Sequence, residues 1–325
     1  MKNEINQTIK SIEQSNFENK GSCMSQILKG HLRALITVSI WSSTFIVSKL
    51  LLVYMTPIQI LFFRYLVAVT FLSLLYPKFS KPASLRGEIL FLAIGAALAL
   101  YFVFENSALQ LTYSSNVSLI VATIPFMTGA LSSLFYRKRF FNFKNTAGMV
   151  TAYLGVLVII INTGRLEGIA PGGDLLALGA SLMFAFYSIL MQKTDERYTL
   201  IQLTRKVFLY GLLVLGVLFL ATGQSPIPES VDTPALISVF YLGIVASSLA
   251  FLLWNRAIQA IGPLKTNQYI YLIPVLTTML SAVLLKERIT LMTLFGTLLI
   301  LSGLYLSERK ETKTEKSKKD QIEAI

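Results

Sequence analysis

Apolar runs of about 20 residues, broken by short polar stretches, fill the chain from residue 32 to residue 307. That is the length a helix needs to cross a hydrocarbon layer about 30 Å thick at 1.5 Å per residue. Ten such segments can be marked, at 32–53, 57–76, 88–110, 113–135, 144–162, 173–192, 200–222, 234–257, 264–285 and 289–307. Pro57 opens the second, where a helix tolerates proline best. The pattern predicts an all-α integral membrane protein of ten transmembrane helices. Residues 1–31 are polar, with no apolar core and no cleavage site of a signal peptide, and 308–325 are rich in lysine. Both ends are expected to be largely disordered tails, the first of them helical in part.

The pattern repeats. Residues 105–139 read ENSALQLTYSSNVSLIVATIPFMTGALSSLFYRKR, and 149 residues later comes WNRAIQAIGPLKTNQYIYLIPVLTTMLSAVLLKER. Asn106 falls on Asn255, Ala108 on Ala257, Gln110 on Gln259, Pro125 on Pro274 and Arg139 on Arg288. Such self-similarity decides the fold before any local signal. The first copy occupies segments three and four, the second eight and nine. An offset of five segments is odd, so the copies face opposite ways across the bilayer. Gly148 and Gly155 in segment five stand seven residues apart, as do Gly296 and Gly303 in segment ten. Each pair shares one helix face, which suits close packing in lipid. The expectation is two inverted five-helix repeats, 32–162 and 163–307. In such folds the binding site lies near the midplane between the halves, beside matched helix interruptions. Pro125 and Pro274 are the matched interruptions and the candidate hinges.

Composition strengthens the membrane reading. Apolar residues make up 54% and charged residues 14%, against about 25% charged in soluble domains. The mean hydropathy is +0.63. The net charge of +12 does not point to nucleic acid, because it sits in the linkers 77–88, 136–145 and 191–198 and in the C-terminal tail. The linkers 53–57 and 110–116 carry no charge, and those around Glu167 and Glu229 are net acidic. By the positive-inside bias both termini are cytoplasmic. Lys286-Glu287-Arg288 falls outside, as the inverted copy of an inside turn should. The single Cys23 and single His31 precede the first span. They are read as solvated tail residues. With them outside the spans, a metal site or a His-dependent intramembrane enzyme is disfavoured, and no cofactor is expected. No G-x-x-x-x-G-K-[ST] loop is present, so ATP is not the direct driver.

Trp41-Ser42-Ser43-Thr44-Phe45, Arg64-Tyr65, the paired A-L-Q and A-I-Q turns, and L-L-K-E-R-I-T at 284–290 followed by Gly296 and Gly303 together resemble the EamA-type branch of the drug/metabolite transporter superfamily. The resemblance covers about residues 32–307. It implies a ten-helix carrier of small metabolites, often an exporter, with a central cavity. One departure is Lys138, where the family often has Glu, as at Glu287 in the second copy.

Polar groups inside spans are the candidate site. Glu105 is a substrate-cation contact, a proton-coupling carboxylate, or a carboxylate that reaches the outer interface or pairs with Arg64. Arg64 itself reads first as a gating or ion-pair residue. Arg205 and Lys206 reach the cytoplasmic surface by snorkelling. Trp41, Ser42, Tyr101, Asn106, Tyr187, Asn267, Gln268 and Tyr271 are candidate cavity residues. So are Tyr241, Ser248 and Asn255, which recur every seven residues as a polar stripe. Trp254 reads as an interfacial anchor. The expected function is secondary transport of an amino acid, amine or similar amphipathic metabolite across the cytoplasmic membrane by alternating access. Partners are the lipid bilayer, the solute and a coupled proton. The alternatives are a non-transporting metabolite sensor and, less well supported, an intramembrane enzyme.

Overall fold

The structure, a computed structural model, describes residues 2–79, 84–111, 117, 120–136, 142–162, 171–194, 197–276, 279 and 291–308, with side chains from residue 26 onward except at 45, 136, 159, 160, 162, 293 and 308. Asn116, Lys138, Arg139, the 284–290 motif with Glu287, Arg165, Glu167 and the C-terminal lysines lie outside the described residues, as does the side chain of Cys23.

Helix accounts for nearly every described residue, and there is no strand among them. In chain order the elements are α1 (Lys2–Leu51), α2 (Pro57–Leu75), α3 (Leu85–Leu111), α4 (Ile124–Tyr136) and α5 (Phe143–Asn162). Then come α6 (Pro171–Met191), α7 (Leu200–Thr222), α8 (Thr233–Ile261), α9 (Pro263–Gln268, continued by a 3₁₀ turn, Tyr269–Leu272) and α10 (Leu291–Glu308). Six helices among the described residues are long and apolar enough to span a bilayer: Gln26–Leu51 of α1, then α2, α3, α6, α7 and α8. Ile124–Phe135 and Leu294–Ser307 are shorter apolar helices.

The ends of these helices are written locally. Thr56 and Gln59 form a capping box at the start of α2, and Thr199 and Gln202 form another at α7. Asp232 caps α8 by accepting the Ala235 N–H. Gly223 closes α7 at φ 66°, a left-handed position that glycine occupies without strain. Gly262, at φ 84°, turns the chain from α8 into α9.

Helix pairing follows a rule. The principal neighbours are α5 with α10, α3 with α6, α1 with α8, α3 with α7, α2 with α7, α2 with α8, α4 with α6, and α4 with α9. Exchanging every element with the one five places along leaves this set nearly unchanged. The α3–α6 pair becomes α8–α1, α3–α7 becomes α8–α2, and α5–α10, α2–α7 and α4–α9 map onto themselves. The weaker contact of α1 with the 3₁₀ turn after α9 answers α4–α6.

Glycines make the closest of these contacts. A Cβ on Gly148 would lie 2.6 Å from the Gly303 carbonyl oxygen, and one on Gly155 would lie 2.6 Å from that of Gly296. As the number rises on α5 it falls on α10, so the two helices run antiparallel. Gly95 meets the α7 backbone at Val207 and Gly211, while Gly243 meets Val67 and the Arg64 carbonyl on α2. Positions 95 and 243 differ by the same 148 residues as Gly148 and Gly296.

Candidate functional site

α8 is not a uniform helix. Its middle, Tyr241–Leu249, is a nine-residue π stretch. The i→i+5 bonds of a π turn take in about one more residue than an α turn, and such insertions recur at functional sites. The seven-residue polar stripe therefore breaks up, because it assumed a constant 3.6-residue period. The Tyr241 hydroxyl lies 2.6 Å from Ser43 Oγ on α1. Ser248 Oγ donates to the Gly243 carbonyl at 2.9 Å, and more weakly to Ala68 on α2. Asn255 accepts from the Tyr187 hydroxyl at 2.5 Å and donates to Thr204 Oγ1 at 3.1 Å. One face was expected, and four neighbouring helices, α1, α2, α6 and α7, are engaged.

The π stretch also fixes two of the residues that matter most. Trp41 Nε1 donates to the Ala246 carbonyl at 3.0 Å. Arg64 Nε donates to Ser247 Oγ at 2.5 Å. Both side chains line a small cavity together with Thr44, Tyr101, Phe102, Glu105, Phe184 and Ile273. Elements from both halves of the chain contribute. Within it the Tyr101 hydroxyl donates to Glu105 Oε1 at 2.6 Å, an i to i+4 contact on one helix face. The Arg64 guanidinium carbon stands 4.1 Å from the centre of the Phe102 ring. Arg64 is 2% exposed and Glu105 8%. No ion pair links these two side chains, whereas Lys206 is paired with Glu88. Arg64 Nη2 is buried with no hydrogen-bond partner.

Of the predicted residues, Trp41, Arg64, Tyr101 and Glu105 thus meet at one cavity. The others pack around it or elsewhere. Tyr187 and Asn255 bond to each other, and Phe184 and Trp41 connect them to the cavity wall through ring contacts of 5.5 and 5.9 Å. Asn267 donates to Thr128 and Ser188, tying α9 to α4 and α6. Gln268 links to Asn145 and Ser307. Ser42 is buried and donates to Ser39 within α1. Tyr271 and Asn106 are buried, with the Tyr271 hydroxyl and Asn106 Oδ1 unpartnered.

Both prolines stand at helix irregularities. Turns at Ala122 and Thr123 precede α4, so Pro125 falls in its first turn, and the Thr123 N–H reaches only to Ile120. Before Pro274 the chain tightens into the 3₁₀ turn Tyr269–Leu272, and the Ile273 N–H bonds to Ile270. A proline lacks the N–H that would hold a regular turn at that point.

Four readings change. Trp254 is fully buried rather than interfacial, with its ring 4.8 Å from Trp41 and 6.1 Å from Phe184. It is the repeat counterpart of Glu105, so the second copy carries an indole where the first carries a carboxylate. His31 is not solvated alone; its Nδ1 lies 2.8 Å from the Tyr269 hydroxyl. Arg205 donates to the Tyr76 and Lys78 carbonyls, both at 2.8 Å, and Lys206 pairs with Glu88. They fasten the connection between α2 and α3. Phe102, Phe184 and Ile273 were missed as lining residues, since nothing in an apolar run separates a cavity wall from a lipid face.

A solved crystal structure superposes with a TM-score of 0.68 at 17% identity, covering 86% of this chain and 96% of its own. That likeness concerns the fold alone. An uncharacterized transporter of Archaeoglobus fulgidus is 28% identical over 290 residues, 87% of this chain and 98% of the relative. A probable amino-acid metabolite efflux pump of Salmonella typhimurium is 28% identical over 284 residues, 84% and 93% of the two chains. A protein of the same description from Escherichia coli is 26% identical over 289 residues, 86% and 94%. The sequence model of the EamA-like transporter family matches twice, at residues 28–161 and 171–309. With most of its length matched in two copies, and with its helices paired copy against copy, the chain is a multi-pass membrane protein that belongs to the EamA-like transporter family.

Proposed function

We propose that this transporter exports a small amphipathic metabolite, an amino acid or a related amine, across the cytoplasmic membrane. It does so by alternating access of two inverted five-helix halves, with ten spans and both termini in the cytoplasm. The observation that carries the reading is the cavity between Trp41, Arg64, Tyr101 and Glu105, built from elements of both halves. Aromatic walls with a few polar groups suit a small organic solute. One cation and one anion do not suit a multiply charged phosphate. The invariance of helix pairing under a shift of five, and the antiparallel α5–α10 contact, support inverted halves. The irregular helix at Pro125 and Pro274 supports hinges there. The relatives described as amino-acid metabolite efflux pumps support the substrate class and direction.

A proton is the coupling ion, and Glu105 carries it. A carboxylate that holds either a proton or the ammonium of a solute exchanges one for the other as the cavity changes sides. The test is flux in sealed liposomes containing the purified protein. An imposed pH gradient drives amino acids or amines uphill in the wild type, and Tyr271→Ala lowers the rate. Binding without flux across a broad solute panel makes the protein a sensor and sinks the proposal.

A further inference from the structure

We infer that Arg64 is a substrate contact and that it works with Glu105 as a two-ended reader of zwitterions. The carboxylate of the solute docks on Arg64 Nη2, its ammonium docks on Glu105, and its apolar side chain lies among Trp41, Phe102 and Phe184. This rests on the transport reading above and names the solute chemistry of the same cavity.

Two independent observations meet here. The first is the cavity itself, which holds a guanidinium and a carboxylate that no ion pair joins. Had they been paired, each would satisfy the other and neither would be free for a solute. Instead Glu105 takes the Tyr101 hydroxyl on Oε1, which uses one of about four acceptor positions on an ionised carboxylate. The second is the orphaned donor. Arg64 is 98% buried by the 2% exposure of its side chain's residue, its Nε is fixed on Ser247, and Nη2 has no partner. A buried charged donor without a partner is costly, and a carboxylate is the group whose geometry fits a guanidinium edge.

The ring walls favour an aromatic or branched apolar side chain. The Phe102 ring lies 4.1 Å from the guanidinium carbon.

The test compares matched triples with the purified full-length protein: phenylalanine, phenethylamine and 3-phenylpropionate, then the leucine and methionine equivalents. Binding is read by thermal shift and calorimetry, and flux in liposomes. In the wild type at least one zwitterion binds about tenfold to a hundredfold tighter than both its amine and its acid, the range set by one lost charge-assisted contact. Arg64→Gln erases the preference over the amine and keeps the preference over the acid. Glu105→Gln does the reverse. An amine that binds the wild type as well as its zwitterion overturns the inference, and this arm needs no variant to fold. Equal loss of zwitterion and amine in Arg64→Gln, with an unchanged melting temperature, overturns it too. If no triple binds while the vesicles carry other solutes from a cell extract, the zwitterion reader is wrong and the transport reading stands. If the vesicles carry nothing, both fall.

Discussion

Glu105 and Trp254 occupy equivalent places in the two repeats, and only Glu105 lines the cavity. The carboxylate, held by Tyr101, leaves space beside it, while the indole fills its own half against Trp41 and Phe184. Trp254→Ala should therefore open a second void in the core. Large-to-small changes of this kind cost roughly 3–5 kcal/mol, so the melting temperature in detergent should fall clearly; an unchanged melt would mean that the indole is not packed as described. At Glu105 the expected effect is on coupling. Glu105→Gln should remove the response of flux to a pH gradient, whereas Tyr101→Phe, which keeps the carboxylate, should retain it. A pH response that survives Glu105→Gln would move the coupling proton elsewhere. The sequence marks Glu105 because an acid inside an apolar run is conspicuous. Trp254 was legible as a repeat mismatch and misread as an anchor, because burial by Trp41 comes from a helix about 200 residues away. The unpartnered Nη2 of Arg64 was not legible at all: hydrogen-bond satisfaction is a property of neighbours, not of composition.

The same limit appears in whole elements, with α8 as the clearest case. Its apolar length, its Asp232 cap and its glycine stop at Gly262 are written in the residues. Its π stretch is not, because nothing in YLGIVASSL distinguishes it locally from an α-helix. What holds the stretch is tertiary: Trp41 and Arg64 bond to Ala246 and Ser247, and Gly243 lets α8 settle onto α2. Gly243→Val tests that arrangement. Even the first carbon of the new side chain would lie 2.5 Å from Val67 Cβ and 3.1 Å from the Arg64 carbonyl. Overpacking of this sort costs about 1–3 kcal/mol, and here it should also shift Arg64 and depress flux. Gly95→Val should harm the equivalent α3–α7 contact, where the neighbours are backbone atoms of Val207 and Gly211. Gly216→Ala, with nothing within 4 Å, is the control and should be near neutral. Equal melts and equal flux for all three would remove the argument that these glycines set the helix spacing.

For the molecule as a whole, the repeat predicts orientation as well as pairing. Under inversion a helix and its counterpart five places along run in opposite directions, which the antiparallel packing of Gly148 on Gly303 and Gly155 on Gly296 supports. Direction across the bilayer can be measured because the chain has one cysteine, Cys23. In a Cys23→Ser background, Ser84→Cys and Gln192→Cys mark the connections α2–α3 and α6–α7, and Val53→Cys and Gln224→Cys mark α1–α2 and α7–α8. All four positions are exposed. The basic linkers assign the first two to the cytoplasm and the uncharged or acidic linkers assign the last two to the outside. A membrane-impermeant maleimide added to intact cells should label Val53→Cys and Gln224→Cys, and should reach Ser84→Cys and Gln192→Cys only after lysis. The α1–α2 and α6–α7 connections are counterparts under the five-place shift, so inversion requires them to lie on opposite sides. Labelling of Val53→Cys and Gln192→Cys from the same side would break the symmetry that the pairing of helices suggests. It would also break the alternating-access mechanism that depends on two halves exchanging mirror-related shapes around the Arg64–Glu105 cavity.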